Sequence, residues 1–351
     1  MLLYIHIPYC DSKCHYCSFN SYVDKFDTRE TYMDALFYQI KSELKKFNTT
    51  FKSIESIFIG GGTPSTINPK LYIKIFNYLR PYMMDDCEIT TEANPNSATK
   101  NWLEGMKDIG VNRISFGVQS FDNQKLKSLN RNHNKDDAIN AITSAKEIGF
   151  KNISLDLIYN FKNDTKELIL TDINQAFKLD INHISAYELT IEDGTKFSST
   201  PEVRKDDFDI AQLISNEIQK RGFPQYEISN YGLYQSVHNQ GYWLLKDYIG
   251  AGAGAVGFKK NKRFYPHTDI DLYIKEPLFQ RIEEITQDDI LFEKLFLGFR
   301  SKVGVDRDIL NLNMQKQADF LCLNNKLYLK NNRYYNSNYF LTDEIVLYIT
   351  Q

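Results

Sequence analysis

Six apolar runs of strand length punctuate the first half of this chain: LLYIHI at 2–7, IESIFIG at 54–60, CEITT at 87–91, NRISFG at 112–117, NISLDLI at 152–158 and HISAYEL at 183–189. Between them lie segments with apolar residues at helical spacing, Thr28 to Phe47, Pro69 to Met83, Ala98 to Ile109, Lys135 to Ile148 and Lys166 to Leu179. Strands that alternate with helices must run parallel and connect by right-handed crossovers. Six such units curve into most of a barrel, so the expected class is α/β, a partial (β/α)6 barrel. The 351 residues suffice for a barrel of about 200–250 residues plus a smaller module. In folds of this kind the chemistry gathers at the C-terminal ends of the strands.

The rhythm breaks after residue 195. Three parts are expected: a barrel over 1–195, an extension over 196–284 that covers the barrel mouth, and a C-terminal helical, winged-helix-like part over 285–351. The extension holds one helix near 205–221 and then a region rich in Tyr and Gly. The last part reads as helices near 287–300, 306–313 and 314–323, followed by a hairpin of LYLK and RYYN. It lacks a basic stripe, and the net charge of the whole chain is only −3, so no nucleic-acid partner is expected. No apolar run reaches membrane-spanning length, and Met1 to Pro8 carries no basic leader. We therefore expect a soluble, cytoplasmic protein. The 23 Tyr and 23 Phe are explained most simply by core packing.

The conspicuous polar residues follow the strands. After the first come Cys10, Cys14 and Cys17, spelling CxxxCxxC. Three thiolates at this spacing can hold a four-iron cluster and leave one iron open to the amino and carboxylate groups of S-adenosylmethionine. With His15 they could instead close a tetrahedral zinc site. After the second strand comes GGGTP at 60–64, whose backbone N–H groups suit a ligand or an ordinary tight turn. Glu92 follows the third strand, Gln119 the fourth, and Asp156 lies toward the end of the fifth. Cys87 and Cys322 sit in apolar runs as small buried thiols.

Taken in order, CxxxCxxC and GGGTP resemble the radical S-adenosylmethionine superfamily. YIHIPYC, TTEANP, SFGVQSF, LNRNH and LDLIYNF resemble its coproporphyrinogen III dehydrogenase (HemN-like) branch over about residues 2 to 300, and EKLFLGFRSKVGV resembles that branch's C-terminal module. The resemblance implies a [4Fe–4S] cluster on Cys10, Cys14 and Cys17. It implies S-adenosylmethionine contacts at Tyr4, Gly61, Gly62, Thr63, Glu92, Gln119, Arg131 and Asp156. The chemistry implied is one-electron cleavage of S-adenosylmethionine to a 5′-deoxyadenosyl radical, for which the protein positions groups and excludes water.

Two departures separate this chain from the oxidases of that branch. Phe19 stands where they carry a fourth cysteine, and the sequence reaches Tyr4 without their N-terminal extension. Both features are those of the HemW-like proteins, which are haem chaperones. VHNQGYW carries that subgroup's HNxxYW signature in His238, Asn239, Tyr242 and Trp243. An imidazole is a ready axial ligand for haem iron, and Tyr and Trp offer flat faces to a macrocycle. From residue type alone His238 could equally be a hydrogen-bonded histidine in an aromatic cluster. The resemblance implies haem, haem-accepting proteins and an electron donor such as flavodoxin or ferredoxin as partners, and admits a homodimer and a peripheral membrane encounter. The alternative function is an oxygen-independent coproporphyrinogen III dehydrogenase. Gly252, Gly254 and Gly257 match GxGxxG, but no βαβ context supports a dinucleotide site, and a close-packed loop is expected instead. His6, His133, His183 and His267 have no ligand spacing and are expected to be structural.

Overall fold

Strands β1 (Leu2–Ile7), β2 (Ile54–Gly61), β3 (Met83–Ala93), β4 (Arg113–Gln119), β5 (Asn152–Tyr159) and β6 (His183–Glu188) form the centre of the protein in a computed structural model describing residues 1–351. They pair in chain order, all parallel. The crossovers carry α1 (Arg29–Lys46), α2 (Ile73–Leu79), α3 (Lys100–Asp108), α4 (Asn123–Ser128) with α5 (Lys135–Ile148), and α6 (Lys166–Ala176). Local chemistry sets their ends. Thr99 and Thr165 accept backbone N–H groups at the starts of α3 and α6, Asn134 and Asp137 form a capping box on α5, and Gly149 ends α5 at φ +94°. The helix expected over 69–83 is shorter, because Pro69 and Pro81 lie in tighter turns at its two ends. Strand β3 starts before CEITT, since Met83 already pairs with Ile54 ahead of a register irregularity.

Alternation along the strands separates two faces. Leu3, Ile5, Ile57, Ile59, Ile114, Phe116, Ile153 and Leu155 point out to the helices and belong to one large apolar core. The opposite face lines the barrel interior, row by row: Tyr4, Phe58, Thr90 and Arg113 in one row, Glu92 and Ser115 in the next. A polar interior of this kind is suited to holding a ligand rather than to sealing a core.

The segment after the barrel enlarges the sheet at both edges. Following α7 (Phe208–Lys220), β7 (Gln225–Glu227) and β8 (Asn230–Gly232) join β6 antiparallel. After α8 (Val237–Trp243), β9 (Tyr248–Ala251) joins β1 in parallel, and β10 (Gly257–Lys259), β11 (Lys262–Tyr265) and, beyond α9 (Ile270–Lys275), β12 (Arg281–Glu284) complete a twelve-stranded sheet. The expectation that 196–284 covers the mouth is corrected for its signature helix. Helix α8 packs on Ser56, near the start of β2, and on Glu88, its register partner on β3, so it closes the barrel at the end opposite the cysteine loop. The buried Glu88 carboxylate draws it there, accepting from Tyr234 Oη, Ser236 Oγ and the Val237 and His238 backbone N–H groups. The glycine loop after β9 is close-packed as expected: Gly252 N–H donates to Gln39 Oε1, and the Ala253 and Thr268 carbonyls accept from Asn20 beyond the cysteines.

The C-terminal part comprises α10 (Gln287–Phe299), β13 (Val305–Asp306), α11 (Leu312–Leu323), β14 (Leu327–Lys330), β15 (Arg333–Asn336) and α12 (Thr342–Thr350). It has its own apolar cluster around Leu295, Phe299, Leu321, Tyr334 and Ile345. One expectation fails here, and one helix was not anticipated. No α-helix spans 306–313, because Val305 and Asp306 pair with β15 and Asp306 then caps a short turn at Arg307–Ile309. The sequence reading also missed α12, whose apolar residues Ile345, Val346 and Ile349 are buried against the module's own core. Arg300 ties this part to the barrel by donating from Nε and Nη2 to the buried Glu227 carboxylate, both at 2.8 Å.

Candidate functional site

A cavity of about 360 Å³ opens at the C-terminal ends of the parallel strands. Cys10, Cys14 and Cys17 line it on one side, on the loop that leaves β1. The loop is braced from several directions. Tyr22 and Pro8 carbonyls pair with the Cys10 and Tyr22 N–H groups, and Lys13 Nζ donates to the Phe19 carbonyl and Ser21 Oγ. Thr63 Oγ1 donates to Cys10 Sγ at 3.3 Å, and Arg131 Nη1 donates to Cys14 Sγ at 3.3 Å. Burial pushes the Cys10 and Cys17 thiols up, and the Thr63 hydroxyl pulls Cys10 back down. No three His, Cys, Asp or Glu side chains converge as single-ion ligands. His15 turns away from the cysteines, bonded through Nδ1 to the Ser128 carbonyl and packed edge-on to Phe197. The zinc alternative therefore loses its fourth ligand. Three sulfurs facing one cavity fit a cluster whose irons each take a separate thiolate.

Gly61, Gly62, Thr63, Glu92, Gln119, Arg131 and Asp156 line the same cavity. Tyr4 lies deeper in the barrel, its hydroxyl donating to His6 Nδ1 at 2.9 Å while His6 Nε2 donates to the Asn20 carbonyl. The glycine at 61 answers a need of the chain itself: at φ +109° a Cβ would run into the His6 ring. Its N–H donates to Glu92 Oε2 at 3.1 Å. Gln119 is held at φ +68°, an uncommon conformation for a side-chain-bearing residue, just after an irregularity in the β4–β5 register. Arg131 Nη2 donates to Asn94 Oδ1 at 2.6 Å and to the Gly117 carbonyl at 2.7 Å. A Cβ at Gly117 would lie 3.1 Å from Gln119 Nε2 and 3.2 Å from Arg131 Nη2, so a side chain there would crowd both groups. Burial raises both carboxylic acids, Glu92 to about 8 with Asp156 opposite adding repulsion, and Asp156 to about 6.

The HNxxYW residues lie at the other end of the barrel. His238 is fully enclosed, with Nδ1 hydrogen-bonded to Ser56 Oγ at 2.8 Å and Nε2 without a partner. Phe58 and Tyr242 pack on its ring at centroid distances of 5.2 and 4.7 Å, and Trp243 packs on Tyr226 at 5.6 Å. Burial lowers His238 to about 3, so the ring is neutral. The Asn239 N–H donates to Ser236 Oγ, which caps the start of α8. His6, His133 and His183 are hydrogen-bonded within the fold, and His267 stacks on Phe279.

The model of the radical SAM superfamily matches residues 4–176. A Bacillus subtilis protein named Heme chaperone HemW is 33% identical over 321 residues, 87% of this chain and 84% of that relative. The chain belongs to the HemW family of the radical SAM superfamily. The Heme chaperone HemW of Escherichia coli is 38% identical over 73% of this chain and 69% of its own. A mitochondrial radical S-adenosyl methionine domain-containing protein 1 of Mus musculus is 32% identical over 86% and 74%. Coproporphyrinogen III oxidase (HemN) from Escherichia coli superposes with a TM-score of 0.81 over 99% of this chain and 89% of that one; at 19% identity this shows the shared fold.

Membership of the radical SAM superfamily implies a [4Fe–4S] cluster and S-adenosylmethionine. In this HemW-family chain several neighbours of the site went unread in the sequence. Asn94 bridges Arg131 and Thr63, with its Nδ2 donating to Thr63 Oγ1 at 3.2 Å. Tyr16 Oη accepts from Arg131, and Tyr187 lines the cavity from β6. Asn94 lies in TTEANP and Tyr16 within the cysteine loop, so proximity to the motifs was the available signal. Tyr187 had none beyond its place near the end of a strand. No helix is long and apolar enough to cross a membrane.

Proposed function

We propose that this protein binds haem and delivers it to haem proteins, on a scaffold that also carries a cluster and S-adenosylmethionine. The observation that carries the reading is the likeness, over most of both chains, to relatives named Heme chaperone HemW. Residue chemistry supports it. A neutral imidazole bonded through Nδ1 and free at Nε2 has the donor that an axial haem ligand requires. The space around that nitrogen is closed, so haem binding goes with displacement of α8 from Ser56 and Glu88. In this reading residues 1–195 hold the cluster and S-adenosylmethionine, 196–284 carry the haem ligand, and 285–351 form a lid or protein contact.

Cys10, Cys14 and Cys17 would ligate three irons, and the open iron supplies one-electron reduction of S-adenosylmethionine when both are bound. The chain's own part is positional. Glu92, Asp156 and Gln119 present acceptors to the amino and ribose groups, Arg131 orients Asn94 and the cysteine loop, and the barrel walls exclude bulk water. Phe19, 62% exposed on the rim of the cavity, occupies the position of the oxidases' fourth cysteine.

The test is haem titration of the cluster-reconstituted protein followed by mixing with an apo-haem protein. We expect a saturable Soret band and its transfer to the acceptor, with an altered band in His238→Ala. Absence of saturable haem binding would overturn the reading. An anaerobic assay with coproporphyrinogen III, reductant and S-adenosylmethionine, read by mass spectrometry, covers the other activity. Loss of two carboxyl groups there would make the protein a dehydrogenase.

A further inference from the structure

Two of the three cysteine sulfurs receive a hydrogen bond from outside their own loop, and one side chain stands behind both donors. Thr63 Oγ1, just after β2, donates to Cys10 Sγ at 3.3 Å, and Arg131 Nη1 donates to Cys14 Sγ at 3.3 Å. Asn94, the residue after β3, joins the two. Its Oδ1 accepts from Arg131 Nη2 at 2.6 Å, and its Nδ2 donates to Thr63 Oγ1 at 3.2 Å. The directions along this chain follow from the groups themselves. A guanidinium only donates, so the Asn94 oxygen must face Arg131 and its amide nitrogen must face Thr63. That nitrogen also only donates, so the Thr63 hydroxyl accepts from it and has its single proton left for Cys10. Each link is pinned from elsewhere. Arg131 Nη2 donates to the Gly117 carbonyl at 2.7 Å, the Asn94 N–H to Ser65 Oγ at 3.1 Å, and Thr66 Oγ1 to the Thr63 carbonyl at 2.7 Å. Other polar neighbours of the sulfurs belong to the cysteine loop itself: Ser21 and Lys13 near Cys10, Tyr16 near Cys14, and the Phe19 backbone near Cys17.

We propose that Asn94 is a positioning residue for the cluster: held by Arg131, it turns the Thr63 proton onto the Cys10 sulfur, and the resulting O–H···S bond raises the cluster's reduction potential. This rests on the reading of Cys10, Cys14 and Cys17 as the ligands of a [4Fe–4S] cluster. An added electron makes the cysteine sulfurs richer in charge, so a donor aimed at one of them favours the reduced form over the oxidised one. Thr63 is 2% exposed, so water competes little for its hydroxyl. An aspartate at position 94 would have the same shape, but both of its oxygens accept. With one held by Arg131, the other would draw the Thr63 proton away from Cys10. Asn94 thus acts one step removed from the sulfur, on how readily the cluster takes an electron from a one-electron reductant.

The experiment is a redox titration of cluster-reconstituted protein without S-adenosylmethionine, followed by the electron paramagnetic resonance of the reduced cluster. Thr63→Val keeps the shape and removes the hydroxyl. It should disfavour the reduced form about tenfold, which lowers the midpoint by about 59 mV for one electron. Thr63→Ser, which keeps the hydroxyl, should stay near the wild type. Asn94→Asp should lower the midpoint at least as far, and by less in a Thr63→Val background, where only the added charge acts. Deuterium exchange separates the bond from the charge. The reduced wild-type cluster should couple to one more exchangeable proton than either Thr63→Val or Asn94→Asp. If Thr63→Val folds poorly, that coupling in Asn94→Asp carries the test alone. An unchanged midpoint in Thr63→Val, an Asn94→Asp shift equal in the two backgrounds, or a coupling that survives Asn94→Asp overturns the proposal. A wild type that takes up no cluster would instead overturn the reading of the three cysteines.

Discussion

Ser56 Oγ and His238 Nδ1 are 2.8 Å apart across 182 residues of sequence, inside the end of the barrel that faces away from the cysteines. That contact orients the signature imidazole and leaves Nε2 buried without a protein partner. Ser56→Ala should loosen α8 at a cost of about 1 kcal/mol and speed haem association. Stopped-flow Soret kinetics check it; unchanged or slower association would show that α8 does not gate the ligand.

Cys14→Ala removes one of the three sulfurs that line the cavity. Iron and sulfide content after anaerobic reconstitution should collapse while the far-ultraviolet circular dichroism stays that of the wild type. The large apolar core does not include Cys14, so the barrel has no need of it. Full iron retention would contradict the ligand assignment.

Glu92 sets a pH dependence of stability whose sign follows from its environment. Its acid is raised from 4.5 to about 8 on folding, chiefly by burial. The folded state therefore binds the proton more tightly, and the stability this contributes is fully present below about pH 4.5 and is lost as pH rises towards 8. In the protein without S-adenosylmethionine, Glu92→Gln should flatten the decline in urea midpoint across that window. Parallel curves for variant and wild type would refute the assignment.

Lys125 and Asp164 form an ion pair with side chains 2% and 0% exposed, and Lys125 also donates to the Ile158 carbonyl. The pair pins α4 to the end of β5, just before Leu129 to Arg131 reach the cysteine loop. Lys125→Met strands a buried carboxylate and should destabilise the fold by about 3–5 kcal/mol. Restoring much of that loss in a Lys125→Met, Asp164→Leu double variant, measured by denaturant unfolding, would show that the stranded charge is the cause.

Arg300 and Glu227 hold the C-terminal part against the barrel through two 2.8 Å bonds to a nearly buried carboxylate. Arg300→Met should make the link between β12 and α10 more open to protease, by about tenfold in cleavage rate for each 1.4 kcal/mol lost. An unchanged cleavage rate would mean that the apolar contacts alone suffice.

Much of the protein was legible in its sequence because the signals are local. Alternating apolar runs announced six parallel strands, since each strand must bury one face against its crossover helix. That the cysteines, Gly61 to Pro64, Glu92, Gln119 and Asp156 line one cavity was legible because each lies in the C-terminal half of a strand or on the loop after it, where the fold places chemistry. What remained hidden depends on contacts between distant segments. The brief strand β13 exists only because β15 is there to pair with it. Arg113 read as the start of a strand, and nothing local revealed that its side chain is buried with Nε unpartnered and a single bond to Thr90 Oγ1. The HNxxYW segment was visible as a motif, but its burial at the far end of the barrel was decided by Glu88 and Ser56, which recruit the backbone and side chain of α8 over more than 140 residues. Periodicity and motif are properties of neighbouring residues, so the chain determines its strands and loops by itself. Which charges go unpaired, and which end of a barrel a helix closes, are settled only when the sheet brings remote side chains into one enclosure.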